Sequence, residues 1–198
     1  MSLENMFPHF YESIEGAFDF HDVYHNAIES VSCDVKSMFV EVGCYFGRSA
    51  AYMAVEIKRS LKPVQFFCVD TFLGSDNEPA QLEIIRSYGG SLQNKFMSTM
   101  KEGLVLFNPL IPIVMSSVEA ATMFTDKSLS FVFIDANHSY QNVKNDILAW
   151  MPKLKDSGII AGHDYAPDCQ GVVKAVDELI GQFLISGRSW IKDVAKTS

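Results

Sequence analysis

The chain has 198 residues, 48% of them hydrophobic and 20% charged, with a formal net charge of -8. That balance excludes a disordered polymer. The excess of acid argues against a nucleic-acid-binding surface, which needs clustered Lys and Arg. The densest basic spots, Lys58-Arg59-Lys62 and Lys153-Lys155, read as solvated helix ends. No stretch approaches the roughly 18 apolar residues of a membrane span. Cys33, Cys44, Cys68 and Cys169 form no CxxC pair and no zinc spacing, so they read as reduced thiols of a cytoplasmic protein. The opening MSLENMFPHFYESIEG carries early acids and no apolar core of signal-peptide length.

One domain is expected, with residues 1–36 as a helical cap. Phe10, Ile14, Ala17 and Phe18 follow helical spacing, and so do Val23, Ala27, Ile28 and Val31. MFVEVG, 38–43, is a short apolar run ending at a glycine, the mark of a buried strand. Ala50, Met53, Ala54, Ile57 and Leu61 stripe the next helix. VQFFCVD, 64–70, is a second strand with an acid at its end. Residues 71–109 hold a loop and helical material from Ala80 to about Glu102, broken near Tyr88-Gly89-Gly90; they read as a lid or acceptor insertion. Strands follow at 111–117, 130–136 and 158–165. Between and after them come helix stripes at Val118–Phe124, at Val143, Ile147, Trp150, Met151 and Leu154, and at Val172–Ile180. FLIS and SWIK flank Gly187-Arg188 as a hairpin. Near-continuous apolar strands alternating with helices predict an α/β fold: a Rossmann-like, doubly wound, mostly parallel sheet with helices on both faces and a C-terminal antiparallel hairpin.

Ligands of such sheets bind beyond the carboxyl ends of the strands. Those ends carry Glu41 to Gly47, Asp70, Ser116-Ser117, Asp135 to His138 and His163-Asp164-Tyr165. Gly43 and Gly47 remove side chains where the chain turns and where a ligand could press close. The pattern is neither GxGxxG nor a P-loop, and no lysine is present to hold a triphosphate. Ser49 stands at the helix start as a cap. Asp70 can accept hydrogen bonds from both hydroxyls of a ribose, or cap the following loop. Asp135 with His138, and His163 with Asp164, have bland readings as caps and turns. Together at adjacent strand ends they offer two carboxylates and imidazole, a set suited to a divalent metal or to proton transfer.

EVGCYFGRS, VDTF, SSVEAA, FIDANHSYQNVKNDILAWMPKLKDSGIIAGHDY and GVVKAVDE together resemble a class I S-adenosylmethionine-dependent methyltransferase, over Phe39 to Glu178. The longer motifs resemble small bacterial O-methyltransferases of methyltransferase family 24, and the first also resembles catechol O-methyltransferase. The resemblance implies that Glu41, Gly43, Tyr45 and Gly47 line the methionine and ribose side of the cofactor. It gives the methionine carboxylate to Ser49 at a helix N-terminus. Asp70 and Thr71 would take the ribose, Phe72 would pack on the adenine face, and Ser117 and Val118 would lie beside it. Asp135, His163 and Asp164 would hold a divalent metal such as Mg2+, and His138, with Asp135, would act in catalysis as general base. One departure stands out: His163-Asp164 falls where catechol O-methyltransferase has Asp-Asn, and imidazole is a less natural magnesium ligand than oxygen. His163 is therefore a ligand to a softer metal, a base or a structural contact. The expected reaction is O-methylation of a small molecule with adjacent oxygens: a sugar, polyketide or phenol. Alternatives are a non-catalytic cofactor-binding module, methyl transfer to nitrogen without metal, and, more distantly, a dinucleotide oxidoreductase. Neither a nucleic acid nor a membrane is expected as partner; a homo-oligomer is left open.

Overall fold

The computed structural model describes residues 3–76, 78–106 and 108–197. Its strands are β1 (Ser37–Val42), β2 (Val64–Asp70), β3 (Leu110–Val114), β4 (Leu129–Ile134), β5 (Leu154–Gly162), β6 (Leu184–Ser186) and β7 (Ser189–Asp193). Its helices are α1 (Leu3–Met6), α2 (His21–Glu29), α3 (Arg48–Ser60), α4 (Pro79–Ser87), α5 (Gln93–Glu102), α6 (Ser117–Ala121), α7 (Tyr140–Trp150) and α8 (Gln170–Leu179). All the strands join one sheet in the order β3-β2-β1-β4-β5-β7-β6. The first five run parallel, and β7 and β6 close the edge antiparallel. This is the Rossmann-like architecture that the alternation of elements predicts.

The period of two along each strand sorts the core into two chemically distinct faces. Phe39, Phe66, Phe131 and Phe133 point to one face and are covered by α2, α3 and α5. Val40, Val42, Val132 and Ile134 point to the other and are covered by α6, α7 and α8. Aromatic rings continue the first face beyond the sheet, with Phe20 of the N-terminal segment stacked 4.4 Å from Phe133. Since β1 lies between β2 and β4, the chain reverses its direction of travel across the sheet there. The crevice that ligands use opens at that switch point.

Two expected elements differ. Phe10–Phe18 is not a helix; only Tyr11–Ser13 makes a single 3-10 turn. Gly16, at φ 116°, interrupts the run. The segment is a strap, held by Arg48, whose Nη1 donates to the carbonyls of Ile14 (3.2 Å) and Gly16 (2.9 Å). The rings of Tyr11 and Phe18 dock on Tyr52 of α3, at 5.3 and 5.0 Å. Leu154, read as the end of a helix stripe, instead opens β5. A 3-10 turn at Met151–Lys153 stops α7 early, and a register irregularity places exposed Asp156 and Ser157 inside the strand, hiding its start.

Candidate active site

The turn after β1 is built around a close approach. Gly43 has φ 88°, and a Cβ there would lie 2.0 Å from the carbonyl oxygen of Asp135 at the end of β4. Only glycine lets these two strand ends meet. Tyr45 follows in the left-handed region at φ 51°. Its amide (2.9 Å) and that of Cys44 (2.7 Å) donate to Asp70 Oδ2, while the amide of Phe72 donates to Oδ1 at 2.7 Å. Asp70 thus ties the β1 turn to the β2 turn. Of the roughly four lone-pair positions of a carboxylate, three are taken by these amides.

Glu41 and Gly47 border neither of the cavities described below. Glu41 is 1% exposed. It accepts hydrogen bonds from Tyr24 Oη (2.8 Å) and Ser49 Oγ (2.7 Å). Burial pushes its carboxyl up to about 8, against these two hydrogen bonds, which favour the charged form. Gly47, in the left-handed region, is itself the N-cap of α3, so Ser49 is not. A Cβ on Gly47 would meet Met100 Cε at 2.4 Å, so this glycine serves the packing of α5. The ring of Phe72 is turned into the core against Phe96, 4.9 Å between centroids and 1% exposed, which removes the expected stacking surface for adenine.

Two cavities open at the strand ends. The larger, about 550 Å³, is bordered by Gly43, Tyr45, Asp70, Thr71, Phe72, Ser117, Val118 and Asp135 among the expected residues, and also by Asn142 and Asp146. The smaller, about 350 Å³, is bordered by Ser49, Asp135, His138, His163 and Asp164. Glu15 and Asp19 of the strap, Glu78 and Arg188 also border it. Gly43, Tyr45 and Asp135 border both, so the cavities meet at the β1 and β4 ends.

At that junction the structure gathers Asp135, His138 and Asp164, whose candidate ligand atoms lie within 4.8 Å of one another. His138 Nε2 is 3.1 Å from Asp164 Oδ2 and 3.6 Å from Asp135 Oδ1, and its Nδ1 is 3.2 Å from Glu78 Oε1. Asp135 above all, with Asp164 and Glu78, raises the affinity of His138 for a proton, while burial opposes this. Asp164 sits at φ 58°, a strained conformation for a residue with a Cβ. Burial alone would raise its pKa; hydrogen bonds from His163 and Arg188 and the charge of His138 hold it well below the usual carboxylate range. Arg188 Nη2 reaches Asp164 at 2.9 Å and Asp168 at 3.0 Å. His163 is not in the gathered group. Its Nε2 faces Asp19 (2.9 Å) and its Nδ1 faces Asp164 (3.4 Å). Burial works against its charge, but Asp164, Asp135 and Asp19 together raise it.

Residues 40–165 match the family model of methyltransferase family 24, described as a methyltransferase domain. The chain belongs to this family. Its residues 40–165 are a methyltransferase domain of that kind. A curated relative, the uncharacterized protein y4gI of Sinorhizobium fredii (strain NBRC 101917 / NGR234), is 26% identical over 125 residues, covering 63% of this chain and 13% of that protein. The methyltransferase thus spans a small fraction of that relative's length. Among solved structures, the O-methyltransferase NovP aligns with a TM-score of 0.66 at 15% identity, over 87% of this chain and 78% of NovP. CalS11, a TDP-rhamnose 3'-O-methyltransferase of calicheamicin biosynthesis, gives 0.55 at 16% identity, over 87% of this chain and 76% of CalS11. Cofactor-bound Rv0187 from MTB gives 0.59 at 10% identity, over 98% of this chain and 86% of Rv0187. At these identities the likeness is one of fold.

Asp146, Glu78, Arg188 and the strap acids are the site residues that sequence reasoning missed. For Asp146 a signal existed: an acid inside the apolar stripe Val143, Ile147, Trp150. Glu78, Glu15 and Asp19 lie in irregular segments where no periodicity marks a direction.

Proposed function

We propose that this methyltransferase moves a methyl group from S-adenosylmethionine to a hydroxyl of a small molecule with adjacent oxygens, assisted by a divalent ion. The observation that carries the reading is the convergence of Asp135, His138 and Asp164 at the border of the smaller cavity, with Asp135 shared by the larger one. The larger cavity takes the adenosine, with Val118 beside the base and the remaining lone pair of Asp70 and the hydroxyl of Thr71 toward the ribose. Glu41 acts from behind, orienting Ser49 toward the methionine end, which reaches the smaller cavity. The acceptor enters the smaller cavity, under the strap and beside the 71–109 segment. Tyr88 of that segment reaches Glu15 of the strap at 3.4 Å, a contact a lid would have to exchange.

The donor set fits a cation. Two carboxylates and an imidazole suit Mn2+, Fe2+ or Zn2+ better than Mg2+, and when bound such an ion lowers the pKa of an acceptor hydroxyl. Carboxylates at both nitrogens of His138 favour its doubly protonated form, which has no lone pair to offer as a base. Loss of the Nε2 proton directs a lone pair between Asp135 and Asp164 and completes three donors. His138 is thus the imidazole of the set, and His163 positions Asp164. The polar border of the smaller cavity supports a hydroxylated acceptor, and CalS11, a TDP-rhamnose 3'-O-methyltransferase, agrees with it.

The test is transfer of labelled methyl from S-adenosylmethionine to a panel of sugars, catechols and polyketides, before and after chelation. Activity that vanishes on chelation and returns with Mn2+ is expected. Binding of S-adenosylhomocysteine with no transfer to any acceptor would overturn the reading in favour of a non-catalytic module.

A further inference from the structure

Asp146 is a buried acid for which the methyl-transfer scheme has no task. It sits at the end of the second turn of α7, 5% exposed, and borders the larger cavity. Its neighbours along the helix face, Val143, Ile147 and Trp150, are core. An apolar residue there would serve packing better, because a buried carboxyl loses hydration. Burial pushes its carboxyl up to about 6, with a compensating hydrogen bond from Ser117.

The partner chain of bonds has a direction. Trp150 Nε1 can only donate, and it donates to Ser117 Oγ at 2.9 Å. The single hydroxyl proton of Ser117 is thereby turned to Asp146. The indole fixes the serine, and the serine fixes the carboxyl. What remains at the cavity border is an acceptor with lone pairs to spare, flanked by the apolar side chains of Met115 and Val118. That combination fits a flat heterocycle that presents an N–H donor at its edge.

We propose that Asp146, held by Ser117 and Trp150, recognises the exocyclic amino group of the cofactor's adenine and so sets base specificity. The inference rests on the reading that the larger cavity takes adenosine. A base with a carbonyl in place of the amino group would turn an acceptor toward an acceptor, leaving the buried groups unpaired.

Calorimetry of the full chain with S-adenosylhomocysteine and with S-inosylhomocysteine tests this. The unmodified protein is expected to bind the adenosyl compound at least about tenfold more tightly. Asp146→Asn, which can donate to a carbonyl, is expected to bring the two within about threefold, with the unliganded melting temperature unchanged or raised. Comparable binding of both compounds by the unmodified protein overturns the inference without need of a variant. So does an Asp146→Asn protein that binds both more weakly at an unchanged ratio, which marks a structural role. Failure to bind either compound overturns the adenosine reading of the cavity itself, and is distinguishable from both.

Discussion

Glu41 carries a stability signature that can be read by titration. Its folded-state pKa is raised to about 8 from an ordinary value of 4.5. The folded protein therefore holds this proton more tightly than the unfolded chain does. The contribution is fully present below about pH 4.5 and is lost as pH rises through about 8. The unfolding free energy of the unmodified protein, from urea titrations, should fall across that window by on the order of a few kcal/mol, and Glu41→Gln should flatten the fall; an identical slope in both proteins would contradict the burial argument. The reacting end is read differently. Asp164→Asn removes a carboxylate that Arg188 and both histidines share, and is expected to lower methyl transfer by about 100-fold or more. Asp168→Asn, which removes only the exposed partner of Arg188, should stay within about threefold. The residue types at the strand ends were legible from sequence, because each stood next to an apolar run. Which histidine joins the carboxylates was not. His138 and His163 differ by the direction of a ring, and the Asp19 that turns His163 aside lies on a distant strap.

At the scale of elements, the turn after β1 is expected to be the least tolerant piece of backbone. Gly43→Ala adds a Cβ against the carbonyl of Asp135 in a left-handed conformation. It should cost above ~3 kcal/mol and abolish binding of S-adenosylhomocysteine. Gly89→Ala, also left-handed at φ 80° but with nothing within 4 Å of the added atom, should cost about 1 kcal/mol. Chemical denaturation of the two variants checks the difference; equal costs would mean that the β1–β4 approach can relax. The strands and the later helices were readable because period two and period 3.6 each persist over a whole element. The strap was misread because Phe10, Ile14 and Phe18 obey helical spacing for another reason: their apolar side chains pack onto the same core cluster without a helix of their own.

For the whole molecule, one sheet separates a core built on strand phenylalanines from one built on strand valines and isoleucines, and every parallel strand contributes to both. Neither half can melt alone, so the domain should unfold in a single transition. Both tryptophans, Trp150 and Trp190, belong to the second of these sides. Their fluorescence should nonetheless track far-ultraviolet circular dichroism; separated curves would show that the two sides are independent. The same sheet delivers Asp135 from β4 and Asp164 from β5 to one point, and the account of catalysis depends on that delivery. Titration of Mn2+ into the protein saturated with S-adenosylhomocysteine tests it most directly. A saturable site that is retained in His163→Ala and lost in His138→Ala and Asp164→Asn is the predicted result. Retention in His138→Ala with loss in His163→Ala, or no binding at all, would contradict it.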